Sequence, residues 1–204
     1  MPAYQRKDHF FKKAKDSGLR SRAAFKIMEI NQSFRLLRKG QLVVDLGCWP
    51  GGWLQMISKE IGSFGRVIGV DLEPMNPPLN EKNVVFIRGD VREERTRQLL
   101  FAELGRKVDL VLSDMAPNLS GVKFQDHYNS YELAEQALQM CRLVLKEGGD
   151  FAVKIFPGEE LEQFKANLKA AFHHIKTFIP DSSRKTSTEI YLIAKGFKNG
   201  KSLP

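Results

Sequence analysis

"VVDLGCWPGGW", residues 43–53, is an apolar run that stops at an acid and breaks into a glycine-rich turn. A β-branched run ending in this way reads as a buried strand passing through a tight turn into a helix. Four further runs repeat the theme: "GRVIGVD" (65–71), "NVVFIRG" (83–89), "VDLVLSD" (108–114) and "GDFAVKIF" (149–156). Helical patterns fit about 20–33, 52–61, 92–104, 127–146 and 158–172. Continuous apolar strands alternating with helices predict an α/β fold, a mostly parallel sheet covered on both faces. Two closing runs, "HIKTFIP" (174–180) and "TEIYLIAKGF" (188–197), are separated by too few residues for a crossover helix, so this last pair is predicted antiparallel.

Composition narrows the function. A chain of 204 residues that is 42% hydrophobic is expected to form a single domain, residues 1–204. No run approaches the roughly 18 apolar residues of a membrane span, and the opening segment lacks the apolar core of a secretory signal. A cytoplasmic protein without membrane partners is expected. Cys48 and Cys141 lack metal-ligand spacing, so no metal is expected. The net charge of +8 favours polyanionic partners. It is concentrated in residues 1–26, where Arg6, Lys7, Lys12, Lys13, Lys15, Arg20, Arg22 and Lys26 face only Asp8 and Asp16. This segment reads as a basic arm for RNA, with Tyr4, Phe10 and Phe11 available to stack on bases or to pack the arm onto the domain.

The turn itself excludes two ligand classes. No Gly-Lys-Ser/Thr follows, so it is no P-loop, and Gly47, Gly51 and Gly52 depart from the dinucleotide spacing G-x-G-x-x-G. Successive strands instead end in Asp45, Asp71, Asp90 and Asp114, which lines the carboxyl edge of the sheet with acids. One acid there is a common helix cap. Four suit a ligand with ribose hydroxyls, an adenine amino group and a positive charge: S-adenosylmethionine.

The motifs "DLGCWPGGW", "DLEPM", "GDV", "LSDMAPNLSG", "FAVKIF" and "PDSSRKTSTEIYLIAKGFK" together resemble, in order, those of the FtsJ/RrmJ family of RNA 2′-O-ribose methyltransferases, over about residues 15–198. The small residues usual before the Pro are replaced by Cys48-Trp49, which alters the wall of the cofactor pocket. The resemblance implies a Rossmann-like class I methyltransferase sheet of seven strands with an antiparallel last strand. It places S-adenosylmethionine against Asp45, Gly47, Gly51, Trp53, Asp71, Leu72, Asp90, Val91 and Asp114. It implies a Lys-Asp-Lys-Glu catalytic tetrad at Lys26, Asp114, Lys154 and Glu189.

Chemistry supports Lys154 as the central member. A lysine in an apolar strand is costly unless paired or deprotonated, and a nearby neutral amine can accept the proton of a weakly acidic ribose hydroxyl or orient its oxygen. Arg20, Arg22, Arg184 and Lys185 are candidate RNA contacts, the last two in the polar loop 182–189. Tyr191-x-x-x-Lys195 has the spacing of a short-chain dehydrogenase pair, but "EIYLIAK" alternates as a strand, where that spacing fails. The resemblance ranks large-subunit ribosomal RNA first as substrate, at a uridine, for a monomeric enzyme. A tRNA methyltransferase, a non-catalytic ribosome-assembly factor and a small-molecule methyltransferase are the alternatives.

Overall fold

In the computed structural model, which describes residues 9–184 and 187–198, every expected strand is present. They are β1 (Leu42–Leu46), β2 (Arg66–Asp71), β3 (Val84–Arg88), β4 (Val108–Ser113), β5 (Leu145–Ile155), β6 (Phe172–Phe178) and β7 (Ile190–Phe197). The helices are α1 (His9–Asp16), α2 (Ala23–Phe34), α3 (Gly52–Ile61), α4 (Glu94–Leu104), α5 (Lys123–Val144) and α6 (Leu161–Ala171). The seven strands form one sheet in the order β3-β2-β1-β4-β5-β7-β6. β7 runs antiparallel to both its neighbours, and the other pairings are parallel.

Strand side chains alternate between two cores. Val44, Leu46, Ile68, Val70, Val111 and Val153 face α4, α5 and α6, whereas Val43, Val67, Leu110, Leu112, Ala152 and Ile193 face α2 and α3. Because both faces are buried along β1, β2, β4, β7 and the second half of β5, those strands carry no polar alternation, which is why their runs read as continuous, whereas the edge strand β6 is mostly exposed. The alternation also decides where the polar residues go: Lys154 and Tyr191 lie an even number of residues from Ala152 and Ile193, on the α2 side.

Several boundaries differ from the expected ones. α5 begins four residues earlier than the apolar pattern does, because the first turn exposes Phe124 and is held by Asp126, which accepts from Ser120 N and Oγ and from Gly121 N. β5 begins at Leu145, and its register against β4 shifts between Val108 and Leu110. Part of the basic segment is folded: α1 buries Ala14, Phe10 packs on Phe25 at 5.6 Å, and Lys13 and Arg22 lie over the Phe25 and Phe10 rings. Phe10 thus packs the segment onto the domain. Tyr4 and the rest of residues 1–8 lie outside the described residues.

Gly69 shows how closely β2 and α3 approach. A Cβ there would lie 2.7 Å from Cys48 Sγ and 2.8 Å from Leu54 Cδ1. Gly69→Ala is expected to lower unfolding free energy by about 1–3 kcal/mol through overpacking, read from the denaturant midpoint at unchanged slope.

Candidate active site

The turn after β1 crosses the carboxyl edge of the sheet through two glycines in the left-handed region, Gly47 (φ 77°) and Gly51 (φ 101°). At Gly47 a Cβ would also fall 2.7 Å from the Met115 backbone, so β1 and the segment after β4 touch there through bare main chain. Beside this contact lies a pocket of about 230 Å³ whose lining includes Gly47, Asp71, Leu72, Asp90, Val91 and Asp114. Six of the nine expected cofactor-binding residues therefore converge on one cavity. Trp49, Val70, Gly89, Arg92, Met115, Ala116 and Leu133 complete its wall.

Three expected residues sit elsewhere. Trp53 is buried in the core under α2, donates its indole N–H to Ala23 O at 2.7 Å and packs on Tyr191, so the pocket-wall tryptophan is Trp49. Gly51 lies behind the turn, against Met75, Leu79 and the Arg20 side chain. Asp45 is fully buried below the pocket, and neither carboxyl oxygen has a hydrogen-bond partner among the described residues. Burial, and then the neighbouring Asp114 and Asp71 carboxylates, push the Asp45 carboxyl well above its ordinary range.

The two outer acids are engaged by local groups. Asp71 accepts from Trp49 N at 2.7 Å and Glu73 N at 2.9 Å, which joins the turns after β1 and β2. Asp90 accepts from Arg92 Nε at 3.0 Å and Nη2 at 2.6 Å, and these hydrogen bonds hold its carboxyl below the ordinary value. Arg92 had no motif to mark it. Its only signal was a position two residues beyond Asp90.

Toward β5 the pocket meets a buried charge cluster. Lys154 Nζ lies 3.0 Å from Asp114 Oδ1 and donates to Asp114 O at 2.6 Å. Lys26, projecting from α2, forms an ion pair with Glu189, which also accepts from Ser183 Oγ at 2.9 Å. The four side chains are at most 15% exposed. Between the pairs stands Tyr191, paired across the ladder with Lys154 and fully buried. Its hydroxyl donates to Asp114 Oδ1 at 2.6 Å, and Lys26 Nζ lies 5.8 Å from its ring centroid.

Electrostatics assign fixed roles here. Burial opposes ionisation of Asp114, but Lys154, Lys26 and the Tyr191 hydroxyl outweigh it and hold the carboxyl below its usual range. Burial, with Asp114 and Glu189, pushes the Tyr191 phenol well above its ordinary value. Tyr191 is thus a neutral donor. That is unlike the activated tyrosine of a dehydrogenase pair, and Lys195 Nζ reaches instead to Phe34 O at 3.1 Å.

The expected RNA contacts separate. Arg20 is a clip: its guanidinium donates to Pro77 O at 2.5 Å and Pro78 O at 2.6 Å. Arg22 donates to Ser182 O and borders the cluster; burial and Arg184 lower its pKa against the pull of Glu189. Arg184 is exposed beside it, and Lys185 lies outside the described residues. Glu29, which no motif marked, accepts from Asp181 N at 2.6 Å and Ser182 N at 3.0 Å and so positions this loop.

The FtsJ-like methyltransferase profile matches residues 19–197, a span that contains the pocket and the charge cluster. The chain belongs to the FtsJ-like methyltransferase family. This FtsJ-like methyltransferase is 45% identical over 191 residues to Ribosomal RNA large subunit methyltransferase E of Halorubrum lacusprofundi, an alignment covering 93% of the chain and 71% of the relative. A crystal structure described as a ribosomal RNA methyltransferase from Plasmodium falciparum superposes with a TM-score of 0.75 at 32% identity, covering 87% and 98% of the two chains. Aeropyrum pernix fibrillarin, crystallised with S-adenosyl-L-methionine, shares the fold at a TM-score of 0.62 and 21% identity, covering 84% of this chain and 75% of fibrillarin.

The raised Asp45 pKa makes the stability of the fold depend on pH. The folded state retains a proton that the unfolded chain releases, so this group's contribution lowers stability as pH rises above the ordinary carboxylate range near about 4. Asp45→Asn, isosteric with the protonated acid, is expected to gain stability relative to wild type as pH rises, read by urea unfolding across a pH series.

Proposed function

We propose that the protein transfers a methyl group from S-adenosylmethionine to the 2′-oxygen of a ribose, a uridine's, in large-subunit ribosomal RNA. The observation that carries this reading is Lys154, a buried amine held by Asp114 at the border of the pocket. The names of the similar Halorubrum and Plasmodium proteins support ribosomal RNA as substrate.

The residues present fit the cofactor. Gly47 offers bare backbone at the pocket floor, and Leu72 and Val91 supply apolar walls for an adenine. A carboxylate has about four lone-pair sites, so Asp71 retains capacity for ribose hydroxyls after its two backbone bonds. Asp90 can meet the adenine amino group by exchanging its contact with Arg92. The ionised Asp114 puts negative potential under the methionine end, and the unpartnered oxygens of Asp45 add polar capacity beside it. When bound, the cofactor supplies an electrophilic methyl group.

The chain's own task is to align the attacking oxygen and handle its proton. Two of the three directions around Lys154 Nζ point at Asp114 O and Oδ1. The third is the one with which Lys154 meets a ribose hydroxyl, either accepting its proton as the neutral amine or orienting its lone pair as the ammonium. Tyr191 holds Asp114, and Lys26 with Glu189 closes the far side of the ribose site. Arg22 and Arg184 lie where flanking phosphates approach. The enzyme works as a cytoplasmic monomer on ribosomal subunits; among the described residues no helix is long and apolar enough to cross a membrane.

Transfer of labelled methyl to undermodified large subunits, naked ribosomal RNA and tRNA in parallel tests this function. Label in 2′-O-methyluridine from the ribosomal pools, at a rate falling steeply with salt, is expected. Label confined to tRNA, or recovered on a base, contradicts it.

A further inference from the structure

The rim beyond the cofactor pocket carries exposed apolar surface that the pocket does not use. Leu119, Val122, Phe124 and Tyr128 are 69, 61, 60 and 41% exposed, all within residues 119–128. None lines the pocket, whose wall includes Met115 and Ala116 before this stretch and Leu133 after it. Scattered apolar residues are ordinary on a surface, but four in one stretch beside a catalytic pocket are not.

The stretch is also held in place. The Asp126 carboxylate accepts from Ser120 N at 2.7 Å, Ser120 Oγ at 2.8 Å and Gly121 N at 3.2 Å, which binds the turn to the first turn of α5. Phe124 and Tyr128 are four residues apart on α5 and therefore neighbours on its surface. Behind them, Ser130 Oγ accepts from Phe156 N at 3.0 Å and the His127 ring packs on Phe156 at 6.3 Å. Phe156 leaves the end of β5 two residues after Lys154, so the apolar strip is fixed to the segment that carries the catalytic lysine.

We infer that Leu119, Val122, Phe124 and Tyr128 form a shelf on which an unpaired base of the substrate RNA, next to the target ribose, stacks. The inference rests on the RNA ribose methylation proposed above and names the part of the protein that receives the opened strand. A ribose hydroxyl that reaches Lys154 must leave its helical stack, and stacking on aromatic side chains replaces about 1–3 kcal/mol per base. Lys123 adds positive charge on the exposed first turn and Asp126 is turned inward and satisfied, while the exposed Glu132 lies one turn beyond Tyr128, at the far end of the strip from Lys123. The turn is set before the RNA arrives, so little ordering opposes binding.

Phe124→Ala, Tyr128→Ala and the double variant test the shelf on the RNA that wild type methylates. The double variant is expected to raise KM for RNA about tenfold or more, with melting temperature and cofactor affinity unchanged. The salt dependence keeps its slope because no phosphate contact is lost, and Phe124→Trp restores binding. An oligonucleotide of the target loop carrying 2-aminopurine beside the target reads stacking without turnover, as fluorescence quenching by wild type that the double variant loses. Equal KM and equal quenching in wild type and double variant overturn the shelf, as does a reduced salt slope. A wild-type dimer that the variants dissociate at unchanged KM makes the strip a self-association face instead. Quenching without methyl transfer to any RNA leaves the shelf standing and refutes the proposed function.

Discussion

One oxygen of one carboxylate, Asp114 Oδ1, receives both the Tyr191 hydroxyl and the Lys154 side-chain nitrogen. A charge buried to this degree persists only if its neighbours satisfy it. The surrounding chain meets that requirement from three directions: Lys154 from β5, Tyr191 from β7 and Lys26 from α2. Remove any of them and the Asp114 charge is left with less compensation, shared among the two partners that remain. The arrangement also fixes where Lys154 points, because its bonds to Asp114 leave one direction toward the pocket.

The sheet topology makes the cluster possible. β7 inserts between β5 and β6 in the opposite direction, which sets Tyr191 directly across from Lys154. The two-residue alternation that sends Ala152 and Ile193 under α2 sends Lys154 and Tyr191 to the same face, where Lys26 projects from that helix. The parallel half of the sheet meanwhile brings the ends of β1, β2 and β4 to a common edge, and the cofactor pocket opens there. On the proposed reading, methyl donor and ribose meet at the boundary between the two halves, with Asp114 belonging to both.

Much of this was legible in the residues. Strands buried on both faces announce themselves as continuous apolar runs, and acids at their ends mark the ligand edge. The tetrad came only from resemblance to a family, since Lys26 in a helix and Glu189 before a strand carry no intrinsic mark. Other features had no local signal. Arg20 reads as a phosphate-binding cation until Pro77 and Pro78, far away in sequence, offer their carbonyls. The resemblance puts Trp53 at the cofactor, but its place in the first turn of α3 turns it into the core, and Trp49 lines the pocket. The early start of α5 was hidden because its first turn shows apolar side chains to solvent, contrary to the amphipathic rule. Charge likewise masked α1, whose few apolar residues are nonetheless enough to dock it.

The central claim is that the amine held by Asp114 acts on the ribose hydroxyl and not on cofactor binding. Single-turnover methyl transfer by Lys154→Met at saturating cofactor and RNA, with the cofactor dissociation constant measured on the same protein, tests it most directly. The account predicts a rate reduced about 10²–10⁴-fold with cofactor affinity unchanged. A variant that transfers methyl at the wild-type rate, or one whose lost activity is matched by lost cofactor binding, would contradict it.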